Sequence, residues 1–422
     1  MKKIISARFG FGLVLIFFVL SISAQDIDYA EKMIKKLSSK KFAGRGYVKD
    51  GDLKAAKFIA DEFAENGLKS LNGKYFQHFG FPVNTFPYKI KLKIGGEKLV
   101  PFDDFIVYAN SSAAVGEFEL LRLQIDSADK RLLKRFYEES ELDGKVLVAD
   151  RVFKKLILDS VPENLAGVIF TTDKNMYWFL SIARLPVDYF TLEVDSAKFP
   201  SDATSIEINL KNLYLPAHKT QNVVGWIEGQ SHPDSFLVFT AHYDHLGYMG
   251  KKTWFPGAND NASGVAMITD LGRHFALEKN KPDYSMLFIA TAGEEAGLMG
   301  ATYFALNPMV PLDQMKFLLN LDMVGTGSEG ITVVNGEVFE EEFERMVGIN
   351  KEYDYLQSIK ARGESCNSDH CPFYKEGVPS FFIYTRGKEF SEYHNPDDVA
   401  KDLPLTDYED LFRLLTKFVE SF

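Results

Sequence analysis

Phe236-Leu237-Val238-Phe239-Thr240-Ala241-His242-Tyr243-Asp244-His245 starts apolar at every position and ends in side chains that ionise. Four consecutive apolar residues leave no polar face, so a strand here is buried on both sides, as in a sheet covered by helices. The surrounding chain repeats the pattern. Strands are expected near Val223–Ile227, Ser235–Thr240, Ser285–Ala290, Lys316–Leu321, Ile331–Val334 and Ser380–Tyr384. Between them, amphipathic helices are expected near Ser263–Leu277, Leu298–Leu306, Glu340–Val347 and Asp407–Val419. Alternation of this kind predicts an α/β fold, a three-layer sandwich with a mostly parallel central sheet. Ligands of such folds bind at the carboxyl ends of the strands.

Upstream, residues 26–38 and 52–66 read as helices. In the second, Ala56, Ile59 and Phe63 keep a helical period and Asn66-Gly67 supplies a stop. From about residue 85 to 215 the texture shifts to short β-rich runs: Tyr88–Ile94, Phe105–Val107, Lys145–Val148, Gly167–Phe170 and Ser205–Leu210. None of these carries His, Asp and Glu at ligand spacing. The 422 residues exceed one ordinary core. The expected organisation is therefore a main domain formed by residues 25–85 and 218–422, with a small β-rich domain inserted at 86–217.

Residues 1–24 read as a signal peptide. Lys2, Lys3 and Arg8 precede an apolar run from Phe9 to Ile22, and Ser23-Ala24 offers small residues for cleavage. The run is short for a membrane span, no cysteine follows it to take a lipid, and no other segment is long and apolar enough to span. Export to a periplasmic or extracellular location is expected. In an oxidising compartment Cys366 and Cys371, five residues apart, could close a small disulfide loop or stay reduced. A net charge of -11 argues against a nucleic-acid partner, because phosphate binding needs a basic face.

The chemistry gathers at the expected strand ends. His242 and Asp244 end one strand, Glu294 and Glu295 follow a second, and Asp322 follows a third. Asp260 stands before a helix in Gly257-Ala258-Asn259-Asp260-Asn261-Ala262-Ser263-Gly264, and His394 comes after the last strand. Imidazole and carboxylate suit zinc, and two ions about 3.5–4 Å apart need a bridging carboxylate. Asp260, Glu295 and Asp322 against two divalent ions leave one positive charge, which a bridging hydroxide nucleophile would neutralise. Asp244, two residues beyond His242, is expected to accept the second imidazole N–H. The adjacent acids Glu294 and Glu295 can divide the work, with one on metal and the other free to move a proton. Singly each feature passes as a cap or a loop; their conjunction at successive element ends does not.

These segments, with Ser368-Asp369-His370 and Tyr393-His394-Asn395-Pro396-Asp397, resemble the M28 (aminopeptidase Y/S-like) zinc metallopeptidases. The resemblance extends over the chain outside its β-rich middle and includes the opening Phe42-Ala43-Gly44-Arg45-Gly46. The middle, with Leu142–Val148 and Leu165–Phe170, resembles the protease-associated (PA) domain. The family implies one zinc on His242 and Asp322, a second on Glu295 and His394, Asp260 as bridge and Glu294 as general base. It also implies a strained peptide between Asp260 and Asn261. Asn395 occupies a position where threonine is more usual. His370 is expected to anchor a loop or orient the site without binding metal, and His245 and Tyr243 either line the substrate path or pack. His78, His218, His232 and His274 have no ligand context.

The implied activity is hydrolysis of N-terminal residues from peptides with a free N-terminus, through a metal-bound hydroxide. Two other readings share the fold: a single-zinc glutaminyl cyclase, and a non-catalytic binding protein of the transferrin-receptor kind. The complete five-ligand set with Glu294 disfavours both. No G-x-S-x-G elbow supports a serine hydrolase. Oligomeric state is not legible in the sequence.

Overall fold

The computed structural model describes residues 26–422; the expected signal peptide lies outside the described residues. One eight-stranded sheet carries the chemistry. Its strands in chain order are β1 (Phe76–Thr85), β2 (Leu213–Ile227), β3 (His232–His242), β4 (Tyr284–Thr291), β5 (Met315–Leu321), β6 (Ile331–Val334), β7 (Ile359–Arg362) and β8 (Ser380–Thr385). Their spatial order is β1-β2-β4-β3-β5-β8-β6-β7. The four central strands β4, β3, β5 and β8 are mutually parallel. Antiparallel pairs flank them, β1 with β2, β2 with β4, and β6 with β8. The sheet is thus parallel through its middle and mixed at its margins.

Alternation along each strand feeds two helical layers. Leu237, Phe239 and Ala241 of β3 face one core, shared with helices α1 (Ile27–Leu37), α2 (Gly51–Glu65), α3 (Gly264–Phe275) and the C-terminal α7 (Tyr408–Glu420). Met346 of α5 (Glu340–Tyr353) joins the same side. Phe236 and Val238 face the opposite core, with Phe304 of α4 (Met299–Leu306) and Phe373 of α6 (His370–Lys375). Burial of both faces explains why these strands lack polar alternation. With β4, β3, β5 and β8 parallel and adjacent, their carboxyl ends meet on one edge, and the loops leaving that edge carry the ionisable residues.

A second eight-stranded sheet is built within residues 91–210. Its core includes Leu147, Ile169 and Leu192, and extends to Leu246, Met249 and Phe255 from the loop that follows β3. That packing brings residues near Phe179 to the active edge of the first sheet. Among the described residues no helix is long and apolar enough to cross a membrane.

Candidate metal centre

His242 ends β3, and its Nε2 lies 3.2 Å from Asp322 Oδ1 and 3.3 Å from Asp260 Oδ1. The other Asp260 oxygen, Oδ2, is 3.1 Å from His394 Nε2, which is in turn 3.3 Å from Glu295 Oε2. One carboxylate therefore stands between two histidine–carboxylate groups. Zinc bonds of about 2.0–2.1 Å at tetrahedral angles place two donors of one ion about 3.3 Å apart. All four spacings fit that edge. Donor atoms of His242, Asp260 and Asp322 lie within 4.8 Å of one another, as do those of His245, Asp260 and Glu295.

The electrostatics point the same way. Burial, followed by the neighbouring Asp260 and Glu294 carboxylates, pushes Glu295 well above the usual carboxylate range. Burial also pushes Glu294 well up, with Asp322, Asp369 and Asp244 adding repulsion and His242 opposing it. Against the cost of burial, hydrogen bonds from His242 and His394 hold Asp260 well below its ordinary value. So many acids ionise together in a desolvated space only with added positive charge, which divalent cations supply.

The loops that hold these groups are pinned through the backbone. Between Gly257 and Gly264 the chain makes an irregular turn whose Asp260–Asn261 peptide is cis. Asn261 donates from Nδ2 to the Leu321 carbonyl (2.9 Å) and accepts at Oδ1 from the Gly264 N–H (2.9 Å). A β-carbon at Gly264 would collide with Asn261 Oδ1 and the Leu321 carbonyl, so the motif ends in glycine for want of room. Asp398 accepts the N–H groups of Asn259 (2.8 Å) and Asp260 (3.0 Å). Ser368 donates to Asp322 Oδ2 (2.8 Å), leaving Oδ1 toward His242.

Asp244 lies beside His242, but its carboxylate does not take the second imidazole N–H as expected. Its main-chain oxygen is 3.2 Å from His242 Nδ1, whereas the nearest carboxylate oxygen is 3.9 Å away. The carboxylate is occupied elsewhere, accepting the N–H groups of Glu294 (3.1 Å) and Glu295 (3.3 Å) and the Tyr47 hydroxyl (2.6 Å). It thus fixes the backbone that presents both glutamates.

Two residues of the site have roles the sequence did not give away. Arg45, fully buried, spends all of its donors on five carbonyls: Leu37, Tyr243, Pro256, Gly257 and Asp260. His245, also fully buried, places Nδ1 2.7 Å from Glu295 Oε1. Arg45 lay within the recognised opening motif, and His245 directly follows Asp244, so adjacency to motif residues was the only signal for either. His370 stays out of the cluster; its Nε2 donates to the Ser365 carbonyl (2.8 Å) and its ring stacks on Phe382. Cys366 and Cys371 are joined in a disulfide, with Cα atoms 5.0 Å apart.

A cavity of about 470 Å³ opens over the cluster. Glu294 reaches into it, and Phe179, Met323, Phe382, Tyr384 and Tyr393 form apolar walls. Phe179 comes from the inserted region, and its ring lies 4.8 Å from that of His394.

Fold and site together define an α/β protein with a paired histidine–carboxylate cluster at the strand ends. Residues 222–419 match the family model described as Peptidase family M28. Aminopeptidase YwaD of Bacillus subtilis is 31% identical over 205 residues, 46% of this chain and 42% of that protein. A probable zinc metalloprotease of Pyricularia oryzae is 39% identical over 116 residues, 26% of this chain and 23% of its own. These matches span less than half the length of either relative. The solved structure of BSAP, a zinc aminopeptidase from Bacillus subtilis, matches over 93% of this chain and 94% of its own, with a TM-score of 0.71 and 19% identity. An aminopeptidase from Aneurinibacillus sp. strain AM-1 matches over 94% and 93%, with a TM-score of 0.68 and 19% identity. At that identity the likeness carries the fold.

Proposed function

We propose that the chain is an exported aminopeptidase that uses two zinc ions to remove residues from the free N-terminus of peptides. The observation that carries this reading is the Asp260 carboxylate, with Oδ1 beside His242 and Oδ2 beside His394. His242, Asp322 and Asp260 Oδ1 would hold one ion, and His394, Glu295 and Asp260 Oδ2 the other. When bound, the ions supply Lewis-acid polarisation of the scissile carbonyl and lower the pKa of the attacking water. Export is supported by the closed Cys366–Cys371 disulfide, which suits an oxidising compartment.

The remaining work falls to the protein's own side chains. Glu294, in the cavity but on neither ligand group, takes a proton from the attacking water at a carboxylate oxygen and passes it to the leaving amine. Burial and its acidic neighbours raise its proton affinity, which suits a group that must both accept and release a proton near neutrality. Asp244 holds the Glu294 N–H, and through it the carboxylate, in place. The acidic floor attracts a positively charged amino terminus, and the aromatic walls exclude water from the reacting bond. Replacing Glu294 by Gln tests this assignment. Two zinc ions per chain should remain while kcat falls by about 10²–10⁴-fold, the usual worth of a positioned acid–base. A variant with near-normal turnover would remove Glu294 from this role.

A further inference from the structure

His245 is a fully buried imidazole for which the two-zinc scheme has no use. Its position is closely held. The ring stands against Gly257, where a β-carbon would come within 2.5 Å of His245 Cδ2, and its backbone N–H donates to the Arg45 carbonyl at 3.4 Å. Nδ1 faces Glu295 Oε1 at 2.7 Å, whereas Nε2 has no hydrogen-bond partner among the described residues. A buried ring with a single polar contact must use it, because an unmet buried donor is costly.

The spacings separate two uses of that contact. Donors sharing one tetrahedral zinc stand about 3.3 Å apart, as His394 Nε2 does from Glu295 Oε2 (3.3 Å) and Asp260 Oδ2 (3.1 Å). His245 Nδ1 fits neither edge: it is too near Glu295 Oε1 at 2.7 Å and too far from Asp260 Oδ2 at 3.9 Å. The shorter distance is that of a charge-assisted N–H···O⁻ hydrogen bond.

Resting on the two-metal reading above, we infer that His245 is a positioning residue for the second ion. It donates Nδ1–H to Glu295 Oε1 and so leaves Oε2 as the one oxygen that Glu295 turns toward His394 and Asp260. A carboxylate pinned in this way would offer a metal ion one oxygen only. Without the pin, Glu295 is free to rotate and offer both oxygens.

The test is a zinc titration of metal-free protein against a chromophoric chelator, which resolves the two binding constants without reference to activity. Wild type should take up two ions. His245→Ala should still take up two, with one constant weakened by about 10–100-fold, the usual cost of losing a partner behind a ligand, and the other unchanged. His245→Asn places an amide N–H close to where Nδ1 stood and should restore the weakened constant. Three results would overturn the inference: both constants unchanged in His245→Ala, both weakened equally, or a stoichiometry of one that Asn does not restore. The last would make His245 a ligand in its own right. Wild-type protein that takes up no zinc would overturn the two-metal reading and this inference with it.

Discussion

Substituting Arg45 by lysine keeps a positive charge in place and removes most of its geometry. The guanidinium is wholly buried, and among the described residues its hydrogen bonds all go to main-chain carbonyls. Its donors go to the carbonyls of Tyr243 (2.7 Å), Pro256 (2.7 Å), Gly257 (2.7 Å), Asp260 (3.0 Å) and Leu37 (3.2 Å). Burial lowers its pKa to about 10, partly offset by Asp260, Asp398, Asp244 and Glu295, so it stays charged at neutral pH. Lysine has three donors on one nitrogen, which leaves at least two of the five carbonyls unmet. Each unmet buried group costs about 1–3 kcal/mol, so the expected loss is about 2–6 kcal/mol, a large share of the roughly 5–15 kcal/mol that holds a domain together. The assay is urea unfolding of chelator-treated wild type and Arg45→Lys, reading the shift in midpoint at fixed slope. Because two of the five carbonyls belong to Gly257 and Asp260, in the loop that presents Asp260, zinc affinity should fall as well. A variant within about 0.5 kcal/mol of wild type, smaller than one unmet carbonyl, would refute the claim that this side chain ties the loops together.

Replacing Asp260 by Asn should cost metal retention before it costs fold: zinc content after dialysis should drop from two ions per chain while the circular dichroism spectrum stays unchanged, and full retention would remove Asp260 from the bridge. His370, buried against Phe382, has its pKa lowered to about 4 from 6.5, chiefly by burial. The unfolded chain therefore binds a proton that the folded one refuses, and stability falls as pH drops from 6.5 toward 4. Relative to His370→Gln, which does not titrate, wild type should lose up to about 3 kcal/mol across that window, at roughly 1.36 kcal/mol per pKa unit. Parallel pH–stability curves for the two proteins would contradict this.

The parts of the fold legible in the sequence are those where burial leaves a pattern. β3, β4, β5 and β8 are apolar on both faces because helices cover both, and such runs stand out. β1 does not: Phe76–Thr85 contains Gly80 and Pro82, and its register with β2 shifts between Phe81 and Val83. It is a strand because a long partner lies beside it, and tertiary pairing of that sort leaves no local mark. β7, with Ile-Lys-Ala-Arg at the sheet margin, is too short and too polar to read. His242, Asp260, Glu294, Glu295 and Asp322 are conspicuous because they sit beside the ends of buried elements, where a charge is expensive unless it has work to do, whereas His394 lies in the loop between β8 and α7. The carbonyls around Arg45 come from Leu37, from Tyr243 and from the Pro256–Asp260 stretch, and backbone groups carry no sequence signature. The role of Asp244 was misplaced for a related reason. Strand periodicity located it beside His242, but the competing N–H groups of Glu294 and Glu295 come from another strand end.

The most direct measurement is mass spectrometry of a mixed peptide pool incubated with purified protein, with N-acetylated copies of each peptide and chelator-treated protein alongside. Stepwise loss of N-terminal residues from the free peptides alone, abolished by chelator and restored by zinc, is the predicted result. Internal cuts in acetylated peptides, or loss of ammonia from Gln-initiated peptides without cleavage, would contradict it.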